Sequence, residues 1–321
     1  FYLPFLESYI KAYGNNDYYE LVLKVISELK DTNLYGLPLT NELWYEIDDC
    51  QDYDIVKAMF APSTHERLEL FHKRFGGYWR FGNIKDYCYL VNPYFPTEAM
   101  INKMKYFYDK LLFNYPSGQS IERICACRMF DNVSDDNILI GNGAAELINN
   151  LKYIVGKKIA LTIPSFNEYV RCFPNSEITY INSKDDNYRL SLNKLKETLN
   201  KVDTLIVISP DNPSGSHLKY GEVIELLDMA KEMDKQVIFD ESFIDFANDS
   251  YTLINDDILK KYPNLIVIKS ISKSYGVPGL RLGVLASGNY EYLDIINRNM
   301  PVWNINSFAE YFLQIFLIYK K

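Results

Sequence analysis

Histidine is scarce in this chain: there are three among 321 residues, at His65, His72 and His217. Chemistry that depends on a histidine base or on a histidine-rich metal site therefore has little to draw on. The five cysteines are scattered, and Cys125 and Cys127 lack a second pair or a nearby histidine that would complete a four-ligand zinc site. We predict that the chain holds no metal and works in a reducing cytoplasm.

Long apolar runs and long basic runs are also missing. Apolar segments such as 204–209 and 264–268 are far shorter than the roughly 20 residues that a membrane-spanning helix needs. The formal net charge is −8, and no run of lysine and arginine is long enough to follow a phosphodiester backbone. We therefore expect neither a membrane nor a nucleic acid as partner. The sequence begins at Phe1 without a cleavable apolar segment, so we expect no secretory signal and a chain trimmed at its front.

The composition is that of an ordinary globular protein with a large core, since 48% of the residues are hydrophobic and 24% are charged. A length of 321 residues favours two packed units. Residues 1–61 read as a separate piece, with a helical pattern at Tyr18–Leu29 and a strand at Trp44–Ile47. Residues 62–85, with their Gly-Gly pair, are typical of a linker.

From about residue 86 short β-rich runs alternate with helical stretches. This alternation is typical of βαβ units and predicts an α/β fold with a parallel sheet. The runs are Ile138–Ile140, Lys158–Ile163, Leu205–Ser209, Gln236–Phe239 and Leu265–Ile268. Because open α/β sheets bind ligands at the carboxyl ends of their strands, the residues that follow these runs are the candidate site residues.

Lys273 follows one of these runs and lies among hydroxyl residues, with Ser270 and Ser272 just before it. Formation of an imine requires a neutral amine, so a lysine in this role must be desolvated or close to another cation. Arg281 can supply that charge, and its guanidinium also suits a phosphate. Taken alone, a serine-rich turn with one lysine is most often a solvated loop, so the neighbouring motifs decide.

Three other strand ends carry groups that complement such a lysine. Gly143, Ala144 and Ala145 form a glycine turn before an apolar helical run, and a helix N-terminus favours a phosphate dianion. Asn212 lies in an Asn-Pro-Ser-Gly turn and can direct its amide toward a ring hydroxyl. Asp240 ends a strand in apolar surroundings, where a carboxylate requires a cationic partner such as a protonated pyridinium. Taken singly, the first two of these motifs are plain turns.

The order of these motifs resembles that of class I/II aminotransferases, in the branch of histidinol-phosphate aminotransferase and threonine-phosphate decarboxylase. The resemblance runs from about residue 76 to residue 315. It implies pyridoxal 5'-phosphate (PLP) as cofactor and the fold type I architecture, with a mostly parallel seven-stranded sheet flanked by helices. The PLP-binding large domain would occupy 86–300, and 301–321 would begin a small domain that is incomplete here.

Carried onto this sequence, the resemblance gives Lys273 the Schiff base with PLP and the proton transfer at Cα. Asp240 would pair with the pyridine nitrogen, and Asn212 would donate to the ring hydroxyl. The other implied cofactor contacts are the phosphate ligands Gly143, Ala144, Ala145, Ser270, Ser272 and Arg281 and the stacking ring of Phe166. Tyr115 matches a tyrosine that reaches the phosphate of the partner subunit, which implies a homodimer with shared active sites. Residues 92–96 resemble the segment that lies over the substrate.

The resemblance leaves the reaction open. We expect an aminotransferase that acts on a small, phosphorylated amino acid or amine and a 2-oxo acid. Aminotransferases of this branch usually carry tyrosine where Phe243 stands, and residues 244–246 and 300–306 look closer to the decarboxylases. A decarboxylase of the threonine- or serine-phosphate type is therefore the alternative.

A third alternative, from another class, is a non-catalytic scaffold that keeps the fold. Retention of Lys273, Asp240 and Arg281 argues against it. Family members continue beyond the position of Lys321 and there supply an arginine for the substrate carboxylate, so the resemblance implies that this chain alone turns over poorly.

Residues 1–61 carry a second resemblance, to the C-terminal end of sugar-phosphate and choline-phosphate nucleotidyltransferases. It rests on 44–49 and 53–58, and the acidic pair Asp48 and Asp49 matches one that helps to hold a metal-bound nucleotide. The glycine-rich nucleotide loop of such a domain is missing, so we favour a capping role for these carboxylates at the start of the next helix. The likeness implies a nucleotidyltransferase fusion.

Overall fold

The computed structural model describes residues 1–30, 34–40, 42–81 and 84–319. The chain divides into two compact units, Phe1–Asp86 and Tyr87–Lys321. The finer division into 1–61, 62–85, 86–300 and 301–321 stays a prediction. The positions of these segments that lie outside the described residues are 31–33, 41, 82–83 and 320–321.

Helices form the first unit. They are α1 (Tyr2–Tyr13), α2 (Glu20–Ser27), α3 (Cys50–Met59) and α4 (Thr64–His72). The helix α2 lies inside the predicted pattern at Tyr18–Leu29 and buries Val22 and Ile26. A small apolar cluster of Ile55, Ala58 and Phe81 forms the core around α3.

The strand predicted at Trp44–Ile47 is wrong. These residues form no strand, and the described part of the first unit offers no neighbouring strand whose backbone could pair with them. Asp49 caps α3 instead, together with Asp52. The Asp49 carboxylate accepts hydrogen bonds from the backbone N–H groups of Gln51 (2.6 Å) and Asp52 (3.0 Å), and the Asp52 carboxylate accepts one from the Asp49 N–H (3.2 Å). This reciprocal capping confirms the interpretation of Asp49 as a helix cap.

A seven-stranded sheet forms the centre of the second unit, in the order β1-β7-β6-β5-β4-β2-β3. The strands β2 to β6 run parallel, and β7 is antiparallel to both of its neighbours. Their bounds are β1 Ile138–Asn142, β2 Lys158–Ile163, β3 Glu177–Asn182, β4 Thr204–Ile208, β5 Gln236–Asp240, β6 Leu265–Ser270 and β7 Leu282–Ser287. The predicted α/β fold with a mostly parallel sheet is confirmed.

Helices cover both faces of this sheet. In chain order they are α5 (Glu98–Tyr106), α6 (Tyr108–Phe113), α7 (Gln119–Cys127), α8 (Ala144–Asn150), α9 (Asn167–Cys172), α10 (Leu192–Leu199), α11 (Tyr220–Glu232), α12 (Asp256–Lys261), α13 (Ile271–Ser274), α14 (Tyr290–Arg298) and α15 (Ser307–Tyr319). Residues of α8, α9 and α14 form the core on one face, while α7, α10, α11, α12 and α15 contribute to the core on the other. None of the helices in the described ranges is long and apolar enough to cross a membrane.

The central strands are apolar on both faces because helices cover both sides of the sheet. Successive side chains of a strand point to opposite sides, so each strand contributes to both cores. In β5, Ile238 packs in one core and Phe239 in the other, and both are fully buried. Burial of such a side chain contributes about 1.5–3 kcal/mol. This two-sided core fixes the register of the strands and therefore the positions of the residues at their carboxyl ends.

Candidate active site

A cavity of about 100 Å³ lies at the carboxyl ends of β4, β5 and β6. Most of the residues predicted to bind a cofactor line it. The lining residues are Ala144, Ala145, Phe166, Ile208, Asn212, Asp240, Ser242, Phe243, Ser270, Lys273 and Arg281. Residues far apart in the sequence thus meet around one small cavity, as the strand-end argument predicts.

Asp240 is the last residue of β5 and is 3% exposed. Its carboxylate accepts a hydrogen bond from the Tyr169 hydroxyl at 2.8 Å and one from the Ser242 backbone N–H at 2.9 Å. Burial raises the pKa of Asp240, while these two bonds and the charge of Lys273 act in the opposite direction. A cation that entered the cavity would stabilise this buried carboxylate further.

Lys273 lies in the one-turn helix α13 that follows β6. Burial lowers the pKa of its amine; the Asp240 charge opposes this effect and the Arg281 charge adds to it. The Nζ atom lies 5.2 Å from the centre of the Phe243 ring. A desolvated amine with a lowered pKa is the form of lysine that attacks a carbonyl carbon.

Gly143 and Arg281 are in close contact at the start of α8. The Gly143 N–H donates to the Arg281 carbonyl at 2.8 Å, and both residues have a positive φ, 74° and 59°. A Cβ atom on Gly143 would lie 2.5 Å from Nη2 of Arg281, so a larger residue would push the guanidinium away. The glycine thus lets the arginine side chain approach the first turn of α8, where Ala144 and Ala145 line the cavity.

Three of the predicted residues do not line this cavity. Gly143 lies against the Arg281 guanidinium, as described above. The Ser272 hydroxyl is buried and lies 3.3 Å from both the backbone nitrogen and the carbonyl oxygen of Leu282. Tyr115 is 77% exposed and stacks on Trp303, with ring centres 4.2 Å apart.

A larger cavity of about 590 Å³ adjoins the first and shares Asn212, Phe243 and Lys273 with it. Its apolar wall includes Phe243 and Phe246, whose ring centres are 6.3 Å apart. A molecule that binds next to Lys273 in the small cavity can therefore extend into the larger cavity.

Tyr169 is a site residue that sequence reasoning missed. It is fully buried, and its hydroxyl donates a hydrogen bond to the Asp240 carboxylate. The available signal was its position three residues after Phe166, since residues three apart at a helix start lie on the same side. Nothing in the local sequence indicates which strand end its hydroxyl contacts.

Replacing Tyr169 with phenylalanine is expected to destabilise the chain by about 1.5–3 kcal/mol at neutral pH, because a hydrogen bond to a buried carboxylate is lost. The bond favours the ionised form of Asp240 and lowers its pKa. Its stabilising effect is therefore present above the pKa of Asp240 and is lost as the pH falls through that pKa. Urea unfolding of wild type and variant across this pH range measures the effect.

Tyr262→Phe is the matched control for this prediction. Tyr262 is also fully buried and donates to an aspartate, Asp228, at 2.7 Å, but the Asp228 side chain is 48% exposed. Water can replace the lost bond there, so we expect a smaller loss. Equal losses in Tyr169→Phe and Tyr262→Phe would contradict the assigned role of the Tyr169 hydroxyl.

The chemistry of these residues fits PLP. A buried carboxylate suits a ring cation, a desolvated amine suits a carbonyl carbon, and an arginine at the start of a helix suits a phosphate. Within the described residues, no group of three or more histidine, cysteine or acidic side chains is arranged to hold a metal ion.

Comparison with known proteins agrees with this geometry. The family model "Aminotransferase class I and II" matches residues 86–316. An L-serine phosphate decarboxylase from Campylobacter jejuni is 36% identical over 255 residues, which cover 73% of this chain and 63% of that protein. A CMP-5'-(3-aminopropyl)phosphonate synthase from Streptomyces rubellomurinus is 29% identical over 318 residues, which cover 98% of this chain and 49% of that protein.

The fold is shared with a histidinol-phosphate aminotransferase from Clostridium acetobutylicum, with a TM-score of 0.63 and 26% identity over 72% of this chain and 69% of the other. The chain spans about half the length of the Streptomyces relative and under two thirds of the Campylobacter one. Since the family model covers well over half of the chain, the protein belongs to the class I and II aminotransferase family of PLP-dependent enzymes.

Proposed function

We propose that this chain uses PLP, bound through a Schiff base to Lys273, to react at the Cα of a small phosphorylated amino acid. The observation that carries the proposal is the convergence of Lys273, Asp240 and Arg281 on one cavity. The amine, the carboxylate and the guanidinium match the three chemically distinct parts of the cofactor. When bound, PLP supplies an electron sink that stabilises negative charge at Cα.

The residues around the small cavity have different roles in this proposal. Asp240 would keep the ring nitrogen protonated, and the Tyr169 hydroxyl would favour the ionised form of the Asp240 carboxylate. Arg281 and Ser270 would bind the phosphate, together with the first turn of α8. Asn212 would donate to the ring hydroxyl, and Phe166, which is 41% exposed and lines the cavity, would stack on the ring.

Of the two reactions that the sequence leaves open, we favour decarboxylation over amino transfer. The Phe243 and Phe246 rings give the larger cavity an apolar patch, and the Lys273 Nζ lies 5.2 Å from the centre of the Phe243 ring. An apolar wall disfavours a carboxylate and accommodates neutral carbon dioxide, so it favours loss of that group. The similarity to the Campylobacter decarboxylase supports this choice.

Amino transfer is the second candidate, supported by the family model and by the Clostridium structure. In that case Lys273 would move the Cα proton of the substrate to the cofactor, and a 2-oxo acid would later take up the amino group. The substrate carboxylate would then have to lie away from the Phe243 wall.

The two reactions are separated by their products. Incubation of the PLP-loaded chain with carboxyl-labelled phosphoserine or phosphothreonine, without any 2-oxo acid, is expected to release labelled carbon dioxide and leave an amine. Phe243→Tyr adds a hydroxyl to the wall and is expected to reduce this release relative to amino transfer. Amino transfer that depends on added 2-oxoglutarate, without labelled carbon dioxide, would instead support the second candidate.

A nucleotidyltransferase fusion would explain the first unit. The Streptomyces relative, whose name describes a CMP-linked aminophosphonate, aligns with 98% of this chain and therefore with most of Phe1–Asp86. We infer that a nucleotide-linked product is made from the amine that the second unit produces. A reading frame that encodes no nucleotidyltransferase before the codon of Phe1 would remove this inference.

A homodimer in the cytoplasm completes the proposal. Exposed Tyr115 and its stacking partner Trp303 border a groove of about 840 Å³ at the surface of the second unit. In a dimer, Tyr115 would reach the phosphate bound by the other subunit. Sedimentation equilibrium of wild type and Tyr115→Ser tests the assembly.

A further inference from the structure

Asn92 forms two hydrogen bonds with the short helix that carries Lys273. Its backbone N–H donates to the Lys273 carbonyl at 3.0 Å, and its side-chain amide donates to the Ser274 carbonyl at 2.8 Å. Asn92 and Ser274 are 182 positions apart in the chain. The contact is thus a tertiary one, which only the folded second unit brings about.

These bonds support the end of α13, where the Lys273 carbonyl also accepts a hydrogen bond from the Gly276 N–H at 3.3 Å. A helix has no internal partners for its last carbonyl groups, and α13 spans four residues, Ile271–Ser274. A single turn is not stable by its own hydrogen bonds, so contacts from elsewhere must hold it. Asn92 bonds the carbonyls of Lys273 and of the next residue, and therefore fixes the backbone from which the Lys273 side chain extends.

The segment 92–95 packs directly against the turn that follows α13. A Cβ atom on Gly276 would lie 1.8 Å from the Phe95 carbonyl oxygen and 2.6 Å from that of Asn92. Gly276 also has a positive φ of 62°. The Phe95 ring packs edge-on against Tyr275, with ring centres 6.1 Å apart. The backbones of the two segments are therefore in direct contact, with no room for a side chain between them.

We propose that Asn92 is a positioning residue for Lys273: it holds the backbone of α13 so that the amine stays in its buried position beside Asp240 and Arg281. This role rests on the proposed function of Lys273. It acts through the backbone and requires no contact between Asn92 and the substrate or cofactor.

The consequence for the chemistry follows from the burial of the amine. Desolvation keeps the pKa of Lys273 low, and a low pKa leaves more of the amine neutral and ready to attack. If α13 loosens, water reaches the amine and its pKa rises toward the ordinary value. Attachment of PLP then requires a higher pH and the bond is retained less tightly.

Asn92→Ser tests the proposal. The serine keeps the backbone N–H, and its hydroxyl can accept the bond from the Tyr94 N–H that Asn92 Oδ1 accepts at 2.9 Å, but it cannot reach Ser274. We expect roughly 10-fold weaker PLP retention, since the partly buried Ser274 carbonyl loses the Asn92 amide as its donor. The pH of half-maximal attachment, followed by the absorption band after PLP is added to cofactor-free protein, is expected to rise.

Two further variants at the same contact give graded outcomes. Asn92→Gln keeps the amide but displaces it, so its shift should have the same sign and be smaller. Gly276→Ala forces the two segments apart and should shift the pH profile at least as far as Asn92→Ser. Thermal unfolding of each cofactor-free variant shows whether it is folded, and the pH profile is compared among folded variants.

Asn299→Ser is the matched control, because its side-chain amide also donates to a backbone carbonyl, that of Ile295 at 2.8 Å, but at the exposed end of α14. It should leave the pH profile unchanged. A wild-type profile in both Asn92→Ser and Asn92→Gln would overturn the positioning role. PLP that stays covalently attached to Lys273→Ala after borohydride reduction and denaturation would instead show that the proposed function of Lys273 is wrong, so the two failures are distinguishable.

Discussion

Replacing Lys273 with alanine is expected to abolish covalent attachment of PLP and to lower turnover by at least about 10⁴-fold. The side chain supplies both the nucleophile that binds the cofactor and the group that moves a proton at Cα. Its amine is held in the small cavity with a lowered pKa, between Asp240 and Arg281. The amount of PLP that stays on the protein after borohydride reduction and denaturation measures the first loss, and single-turnover assays measure the second.

Lys260→Ala is the control for general effects of removing a lysine. Its side chain is 69% exposed and pairs with Asp256 one helical turn away, so its loss should change neither the band nor turnover. Rapid turnover by Lys273→Ala would contradict the proposed mechanism, even if the variant bound PLP weakly.

Lys269→Met is expected to destabilise the chain by about 3–5 kcal/mol, because it leaves buried negative charge without its cation. The Lys269 side chain is 3% exposed; its Nζ lies 2.8 Å from the Asp245 carboxylate and 3.6 Å from that of Glu241, which is fully buried. Glu241 also accepts bonds from the Thr252 hydroxyl and from the Leu253 N–H. Urea unfolding at neutral pH measures the loss.

The pH dependence of this loss has a definite sign. Burial raises the pKa of Glu241 and Lys269 opposes the rise, so removal of the lysine raises that pKa further. The cost is largest above the pKa of Glu241 and shrinks as the pH falls and the carboxylate takes up a proton. Lys261→Met, which removes an ion pair with Asp228 where both side chains are about half exposed, should cost about 0–1 kcal/mol. A similar cost for the two variants would contradict a special role of burial.

The sequence predicts most of the strands that are apolar on both faces, but it misses β3 and β7. The strand β4 is fully buried and was recognised from its apolar run. The strand β3 is largely exposed at the edge of the sheet and lacks that signal. The strand β7 is fully buried, but it was not recognised, because its first residues Leu282 and Gly283 directly follow Arg281 and were grouped with the cofactor-binding residues. The prediction of a strand at 44–47 was wrong because a strand also needs a neighbouring strand to pair with, which the local sequence does not show.

The candidate site follows the same division. Motifs that end strands, such as those of Asp240 and Lys273, can be found in sequence because strand ends meet at one edge of the sheet. Supporting residues cannot, because their partners lie on other elements. Tyr169 bonds a carboxylate 71 positions away, and Asn92 bonds a carbonyl 182 positions away. Neither pairing has a signature in the local pattern.

The central claim is that one lysine, Lys273, carries the cofactor. Reduction of the PLP-loaded wild-type protein with borohydride, followed by proteolysis and mass spectrometry, tests it most directly. We predict a single phosphopyridoxyl adduct, on the peptide that contains Lys273. An adduct located on another lysine, with the Lys273 peptide unmodified, would contradict the account.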